Sequence, residues 1–311
     1  MSTQTIEVRV GSCELIGKVL SFDLFPVTGE LPAWEAGAHI DLILGDDLVR
    51  QYSLCGDPAD KTRYCLAVLL EENSRGGSRT VHETVRPGAV FKIGAPRNLF
   101  PLVPSEGPDV LIGGGIGVTP LIAMAHELGD RNVPFTLHYV ARDPAFAAFL
   151  QASSFADRVQ IHDRSNPSTS RPDLSSVLQG IGRGHVYTCG PVALMDGVQE
   201  AALALGLTEA QIHREAFSAL PISEGETFEV LAAKAGVRVQ VGADEPITTA
   251  LARAGVKVTV SCEQGICGTC VVDLLEGDPD HRDEYLTEDE RTDQIALCCS
   301  RAKSPLLVVD L

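Results

Sequence analysis

Five of the nine cysteines in this 311-residue chain fall in its last 50 residues: Cys262, Cys267, Cys270, Cys298 and Cys299. The segment 262–270 reads C-x4-C-x2-C, and Cys298 follows after 27 intervening residues. This is the spacing of a plant-type [2Fe–2S] site. Four thiolates must converge on two irons within one loop, and the loop must fold closely over the inorganic sulfides. Gly265 and Gly268 permit that approach, because a residue without Cβ tolerates the required backbone conformations. A zinc ribbon would need two C-x2-C knuckles, and the adjacent Cys298-Cys299 pair does not supply the second. Chemistry alone leaves open which of Cys298 and Cys299 is the fourth ligand. Before them, Thr287-Glu288-Asp289-Glu290 reads as a capping box that starts a short helix.

A second chemical feature is the turn Gly113-Gly114-Gly115-Ile116-Gly117-Val118-Thr119-Pro120, between a strand pattern over 109–112 and a helix pattern over 120–128. Glycines there let the backbone approach a pyrophosphate, and the helix N-terminus offers unpaired N–H groups. The fingerprint G-x-G-x-x-G is not met, since Val118 stands at the third glycine. Cys189-Gly190-Pro191 recurs at a second strand end, and in a parallel sheet both ends face one crevice. Further upstream, Arg50-Gln51-Tyr52-Ser53-Leu54 and Arg75-Gly76-Gly77-Ser78-Arg79 combine guanidinium groups, glycines, hydroxyls and an aromatic face. Those are the parts an anionic planar ligand needs.

The elements that carry these groups fall into three segments, divided at the turn-rich stretches 101–108 and 219–225. Residues 1–103 read as short alternating strands, which suits an antiparallel β-barrel. Residues 104–225 alternate strand and helix, ending in a helix over 192–205, which implies an α/β doubly wound parallel sheet. Residues 226–311 open with two strands and a helix over 246–254, as a small α+β fold. The expectation is a multidomain protein.

Composition narrows the function classes. Hydrophobic residues make up 44% and charged residues 22%, the ordinary globular mix. The 42 acidic against 25 basic side chains give a net charge of -17, which repels phosphate backbones and excludes a nucleic-acid role. No stretch reaches 18 uninterrupted apolar residues and the N-terminus has no signal-peptide pattern, so a cytosolic (cytoplasmic) chain without a membrane span is expected. The acidic excess grows along the chain, with 13 acids and 10 bases over 1–103, 13 and 7 over 104–225, and 16 and 8 over 226–311.

Taken in order, R-x-Y-S-L, G-G-S, G-G-x-G-x-T-P, C-G-P and C-x4-C-x2-C…C resemble the phthalate dioxygenase reductase family, including the reductase components of vanillate O-demethylase-type systems. The resemblance covers nearly the whole chain. It implies an FMN-binding ferredoxin reductase-like barrel over 1–103, an NAD-binding domain over 104–225 and a β-grasp ferredoxin domain over 226–311. Arg50, Tyr52, Ser53 and Leu54 would hold FMN, with Leu66, Ala67 and Val68 along the isoalloxazine. Gly76, Gly77 and Ser78 would close on the phosphate, and Phe217 would cover the ring. Gly114, Gly115, Gly117 and Thr119 would bind NADH, with Cys189, Gly190 and Pro191 by the nicotinamide and Arg142 near the adenosine ribose. The family pattern C-x-S-R-A falls on 298–302 and favours Cys298 over Cys299, so the implied cluster ligands are Cys262, Cys267, Cys270 and Cys298. The implied activity is electron transfer from NADH through FMN and the cluster to a terminal oxygenase, Rieske-type by resemblance, from a monomeric reductase. A cytochrome P450 is the alternative partner. A redox sensor that does not turn over, and a zinc module without redox chemistry, are the rival classes.

Overall fold

The computed structural model describes residues 5–45, 48–72, 76–166, 171–217, 225–260, 263, 265, 268–283 and 285–311. The chain divides into two compact units, Met1–Phe217 and Ser218–Leu311.

The first unit holds two sheets. Strands β1 (Ile6–Ile16), β2 (Val19–Pro26), β3 (Ala38–Gly45), β4 (Leu48–Ser53) and β5 (Tyr64–Leu69) precede helix α1 (Gly77–Thr84), with β6 (Val90–Ile93) and β7 (Arg97–Asn98) after it. They form one antiparallel sheet in the order β4-β3-β6-β1-β2-β5, with β7 on β3. Alternation decides which face is inside: Ile40 and Leu42 are fully buried, while Asp41 between them is only half-buried and accepts Arg97 Nη2 at 2.8 Å.

The second sheet follows from alternating strand and helix: β8 (Asp109–Gly114), α2 (Val118–Asp130), β9 (Phe135–Ala141), α3 (Ala147–Ala152), β10 (Val159–Asp163), α4 (Leu174–Leu178), β11 (Val186–Cys189), α5 (Val192–Ala204) and β12 (Ile212–Glu215). All five strands are parallel, in the order β10-β9-β8-β11-β12. Chain order reverses at β8, so its carboxyl end and that of β11 bound the crevice where ligands bind in such sheets. Helix α2 buries Leu121, Ile122 and Met124 on one face, each stabilising by roughly 1.5–3 kcal/mol, and α4 and α5 bury Leu178, Val198 and Ala202 on the other.

The sequence pattern places the start of α2 at Pro120, whereas the helix begins at Val118 after a 3₁₀ turn over Gly115–Gly117. Proline is tolerated there because the first four N–H groups of a helix have no intrahelical partner. The two sheets share one hydrophobic core, in which Val8, Leu66 and Phe100 join Leu121 and Tyr187. Glu127 of α2 also accepts the Ala36 N–H at 2.9 Å. This common core is why the first two sequence segments make one compact unit.

In the second unit, β13 (Phe228–Ala232), β14 (Val237–Val241), α6 (Ile247–Arg253), β15 (Val271–Glu276), β16 (Pro279–Asp280), β17 (Gln294–Ala296), β18 (Arg301–Ala302) and β19 (Leu306–Val309) follow in turn. Five of the strands form a mixed sheet, β14-β13-β19-β15-β17, in which only β13 and β19 are parallel. Helix α6 buries Ile247, Ala250 and Leu251 in the same core as Val230 and Leu307. The buried Arg301 donates to the carbonyls of Glu245, Glu226 and Gly242 at 2.8–3.0 Å and lies 5.0 Å over the Phe228 ring, tying the chain after Cys298 to the start of the sheet. No helix among the described residues is long and apolar enough to cross a membrane.

Candidate functional site

Three groups of residues lie where the folds could use them. In the first, β4 carries Arg50, Tyr52 and Ser53, and Leu54 follows it, fully buried. Gly76, at φ 94, turns the chain into α1, whose first turn has no side-chain cap. A Cβ on Gly77 would lie 2.5 Å from Arg50 Cγ, so the missing side chain is what admits the arginine stem to the helix N-terminus. A guanidinium stem and first-turn N–H groups together make an anion cradle. Ser78 is buried, and its Oγ accepts the Glu71 N–H at 3.2 Å. Leu66, Ala67 and Val68 on β5 are buried beside them, and the Val68 carbonyl pairs with His82 Nε2 of α1 at 2.9 Å. Burial pushes the Tyr52 phenol up to about 12, which keeps it neutral. Tyr52 and Phe217 both pack as half-buried rings against the shared core.

The second group is the junction of β8 and β11, and here backbone meets backbone. A Cβ on Gly117 would lie 2.5 Å from the Cys189 carbonyl, and one on Gly190, at φ 149, would lie 2.8 Å from Gly114 Cα. A Cβ on Gly114 would strike Pro191 Cδ at 2.6 Å. These three glycines are required by packing. Gly115 differs: its φ is 56 and its Cβ position meets nothing within 4 Å, so it lines open space at the carboxyl end of the sheet. The buried Thr119 donates its hydroxyl to the Ile116 carbonyl at 2.9 Å, inside the turn. Arg142 is exposed just past β9.

Cys189 is fully buried, and burial, with Glu215 as a lesser cause, holds its thiol well above the ordinary cysteine range. Its neighbour across the ladder is Glu215 at the end of β12. Burial pushes that carboxyl up to about 8, and its Oε2 is buried with no hydrogen-bond partner. Glu215 is not legible in the sequence, because an acidic residue closing a four-residue strand carries no periodic signal.

The third group is the cysteine loop. Cys262 and Cys267 lie outside the described residues. Cys270 and Cys298 are buried side by side; the Cys298 N–H donates to Cys270 Sγ at 3.4 Å, and the Gly265 N–H donates to Cys298 Sγ at 3.2 Å. Sulfurs that accept backbone N–H groups fit thiolate ligands of a cluster. The Cys299 Sγ instead lies 3.8 Å from the Ala296 carbonyl. Gly265 and Gly268 have φ 75 and 69; a Cβ on the first would lie 2.5 Å from Cys299 Sγ, and one on the second would overlap the Tyr285 ring. Both positions therefore exclude a side chain twice over, by conformation and by space. The capping box forms as the sequence predicts: Glu290 Oε2 accepts the Thr287 N–H at 2.9 Å, and Thr287 Oγ1 accepts the Glu290 N–H at 3.4 Å.

Residues 231–303 match the family of 2Fe-2S iron-sulfur cluster binding domains. Over the whole length, the vanillate O-demethylase oxidoreductase of Pseudomonas putida is 44% identical across 302 residues, which are 94% of this chain and 95% of that protein. This chain belongs to that reductase family. Phthalate dioxygenase reductase, solved as a modular structure for electron transfer from pyridine nucleotides to [2Fe–2S], is 35% identical and superposes with a TM-score of 0.77 over 99% of this reductase and 98% of its own chain. An intact type IV self-sufficient cytochrome P450 monooxygenase is 36% identical with a TM-score of 0.79, and there the matched region is 41% of a longer chain. This reductase is multidomain, and it is an oxidoreductase that serves as the reductase component of an oxygenase system.

Proposed function

We propose that this reductase takes electrons from NADH and delivers them to a separate terminal oxygenase, with FMN in an antiparallel barrel over 1–103, NADH on a doubly wound sheet over 104–225 and a [2Fe–2S] cluster in a β-grasp domain over 226–311. The observation that carries the reading is the pair of buried sulfurs, Cys270 and Cys298, each facing a backbone N–H. When bound, the flavin supplies the exchange between hydride and single-electron transfer and the cluster supplies a one-electron relay.

The chain's own residues bind and exclude. Arg50 with Gly76, Gly77 and Ser78 holds the FMN phosphate at the start of α1. Tyr52, kept neutral, and Phe217 present rings to the isoalloxazine, with Ser53, Leu54, Leu66, Ala67 and Val68 around it. Gly115 leaves room for the pyrophosphate, while Gly114, Gly117 and Gly190 hold the crevice shut behind it and Pro191 starts α5 beside it. Cys189 and Glu215, both neutral at pH 7, keep charge away from the nicotinamide. Cys262 and Cys267 complete the ligand set with Cys270 and Cys298, and Cys299 is a bystander thiol.

NADH is favoured over NADPH mainly by the family resemblance; Arg142 and Arg164 at the two strand ends would attract a 2′-phosphate, and Asp163, at the carboxyl end of β10, would oppose one. Its Oδ1 accepts the Ser165 N–H at 2.8 Å and hydroxyl at 2.6 Å, and these bonds hold the carboxyl below its ordinary range. Arg142 is exposed just past β9. A Rieske-type partner and a monomeric state rest on the family resemblance, and a cytoplasmic location rests on the sequence pattern, which has neither a signal peptide nor a long apolar run. A P450 partner is the second reading, favoured by the self-sufficient P450 similarity. Purified protein should show combined flavin and cluster absorbance that bleaches when NADH is added without oxygen. A colourless protein, or one whose spectrum NADH leaves unchanged, overturns the reading.

A further inference from the structure

Next to Gly265 is a group of three ionisable side chains that neither the ligand set nor the packing of the sheet requires. The Asp283 side chain has no exposure; its Oδ2 accepts the Leu286 N–H at 2.8 Å, and its Oδ1 is buried without a hydrogen-bond partner. His281 Nδ1, likewise without a hydrogen bond, stands 3.5 Å from that Oδ1. Arg291 Nη2 donates to the Asp283 carbonyl at 2.7 Å and stands 3.9 Å from Oδ2, and His281 Nε2 pairs with the Arg291 carbonyl at 3.0 Å. A carboxylate withdrawn this far from water is expensive unless it is compensated, and this one is only half satisfied.

The Gly265 peptide links the group to the sulfurs. A Cβ on Gly265 would lie 3.0 Å from Asp283 Cα and 3.1 Å from its Cβ, while the Gly265 N–H donates to Cys298 Sγ at 3.2 Å. Gly265 therefore lies between Asp283 and a candidate ligand sulfur, with the Asp283 Cα and Cβ packed against the residue that donates the amide.

Building on the [2Fe–2S] reading of Cys270 and Cys298, we propose that Asp283 is a positioning residue that, together with Arg291, sets the reduction potential of the cluster. Reduction adds one negative charge to the cluster. The Asp283 carboxylate opposes that charge through the Gly265 peptide, and the Arg291 guanidinium favours it, so the balance of the two fixes how readily the cluster accepts an electron and passes it on.

The test is mediated potentiometric titration, under argon, of holoprotein carrying Asp283→Asn or Arg291→Met, with cluster content checked by iron analysis. Asp283→Asn should raise the ratio of reduced to oxidised cluster at a fixed potential on the order of tenfold, about 59 mV, and Arg291→Met should lower it by a similar factor. A fault in folding alone would not produce opposite signs. Midpoints that match the unaltered protein, shifts in the same direction, or loss of the cluster from both variants overturn the proposal. If only Asp283→Asn fails to load, Arg291→Met decides: a midpoint that is unchanged or higher overturns it. Unaltered protein that holds no cluster would sink the functional reading itself, which is a different result from a loaded protein whose midpoint ignores both substitutions.

Discussion

Replacing Glu215 by glutamine should remove a pH dependence of stability that this one side chain imposes on the first unit. Its Oε2 is buried without a partner at the end of the edge strand β12, beside the buried Cys189, and burial raises the carboxyl from 4.5 to about 8. A raised folded value favours the neutral form. The stabilising contribution is therefore fully present below about 4.5, declines as pH rises through the interval to about 8, and is absent above it. At 1.36 kcal/mol per pH unit, that interval corresponds to roughly 4–5 kcal/mol as an upper bound. Glutamine has nearly the same shape and does not titrate. Urea unfolding at pH 5, 7 and 9, followed by circular dichroism, should show the difference in stability between the unaltered protein and Glu215→Gln changing by at least about 2 kcal/mol across that range, with glutamine relatively better at pH 9. Parallel pH profiles for the two proteins would refute the assignment, because a carboxyl that reaches water in the folded state leaves no such difference.

Other outcomes follow from the same geometry. Gly117→Ala should destabilise the first unit by roughly 1–3 kcal/mol and weaken NADH binding together, since its Cβ would lie 2.5 Å from the Cys189 carbonyl; a Gly115→Ala variant, whose Cβ meets open space, should show only the roughly 1 kcal/mol cost of a side chain at its left-handed φ of 56 in the same unfolding assay. Arg50→Met should weaken FMN binding about tenfold to a hundredfold, as expected for a lost charge-assisted hydrogen bond, and fluorescence titration of the apoprotein measures it. Cys299→Ser should keep the cluster absorbance and Cys298→Ser should lose it; the reverse pattern would reassign the fourth ligand. With 16 acids against 8 bases over 226–311, electron delivery to the oxygenase should slow as salt is raised from about 0.05 to 0.5 M, and stopped-flow rates that ignore salt would remove the electrostatic component of docking.

The motifs were legible where the chemistry is local. Cluster ligation needs three cysteines within one loop, so C-x4-C-x2-C survives as a pattern in one dimension. The capping box at Thr287 and Glu290 is another three-residue relation, and it forms. Gly77 is half legible: the sequence marks it as a phosphate-loop glycine, but its tightest neighbour is Arg50, which only the pairing of β4 and α1 reveals. Helix boundaries were less exact, as at Val118, because a short 3₁₀ turn leads into α2 and proline does not mark the first helical residue.

By itself the sequence determined which reactive groups are present and which of them sit within a few residues of one another, because loops, caps and strand ends are built from near neighbours along the chain. Tertiary structure decided which groups are dry and what they face. It joined Gly117 to Cys189 and Gly114 to Gly190 across two strands, and left one oxygen of Glu215 and one of Asp283 without a partner. Those outcomes depend on distance through space and on the exclusion of water, and both are set by packing between segments far apart in the chain.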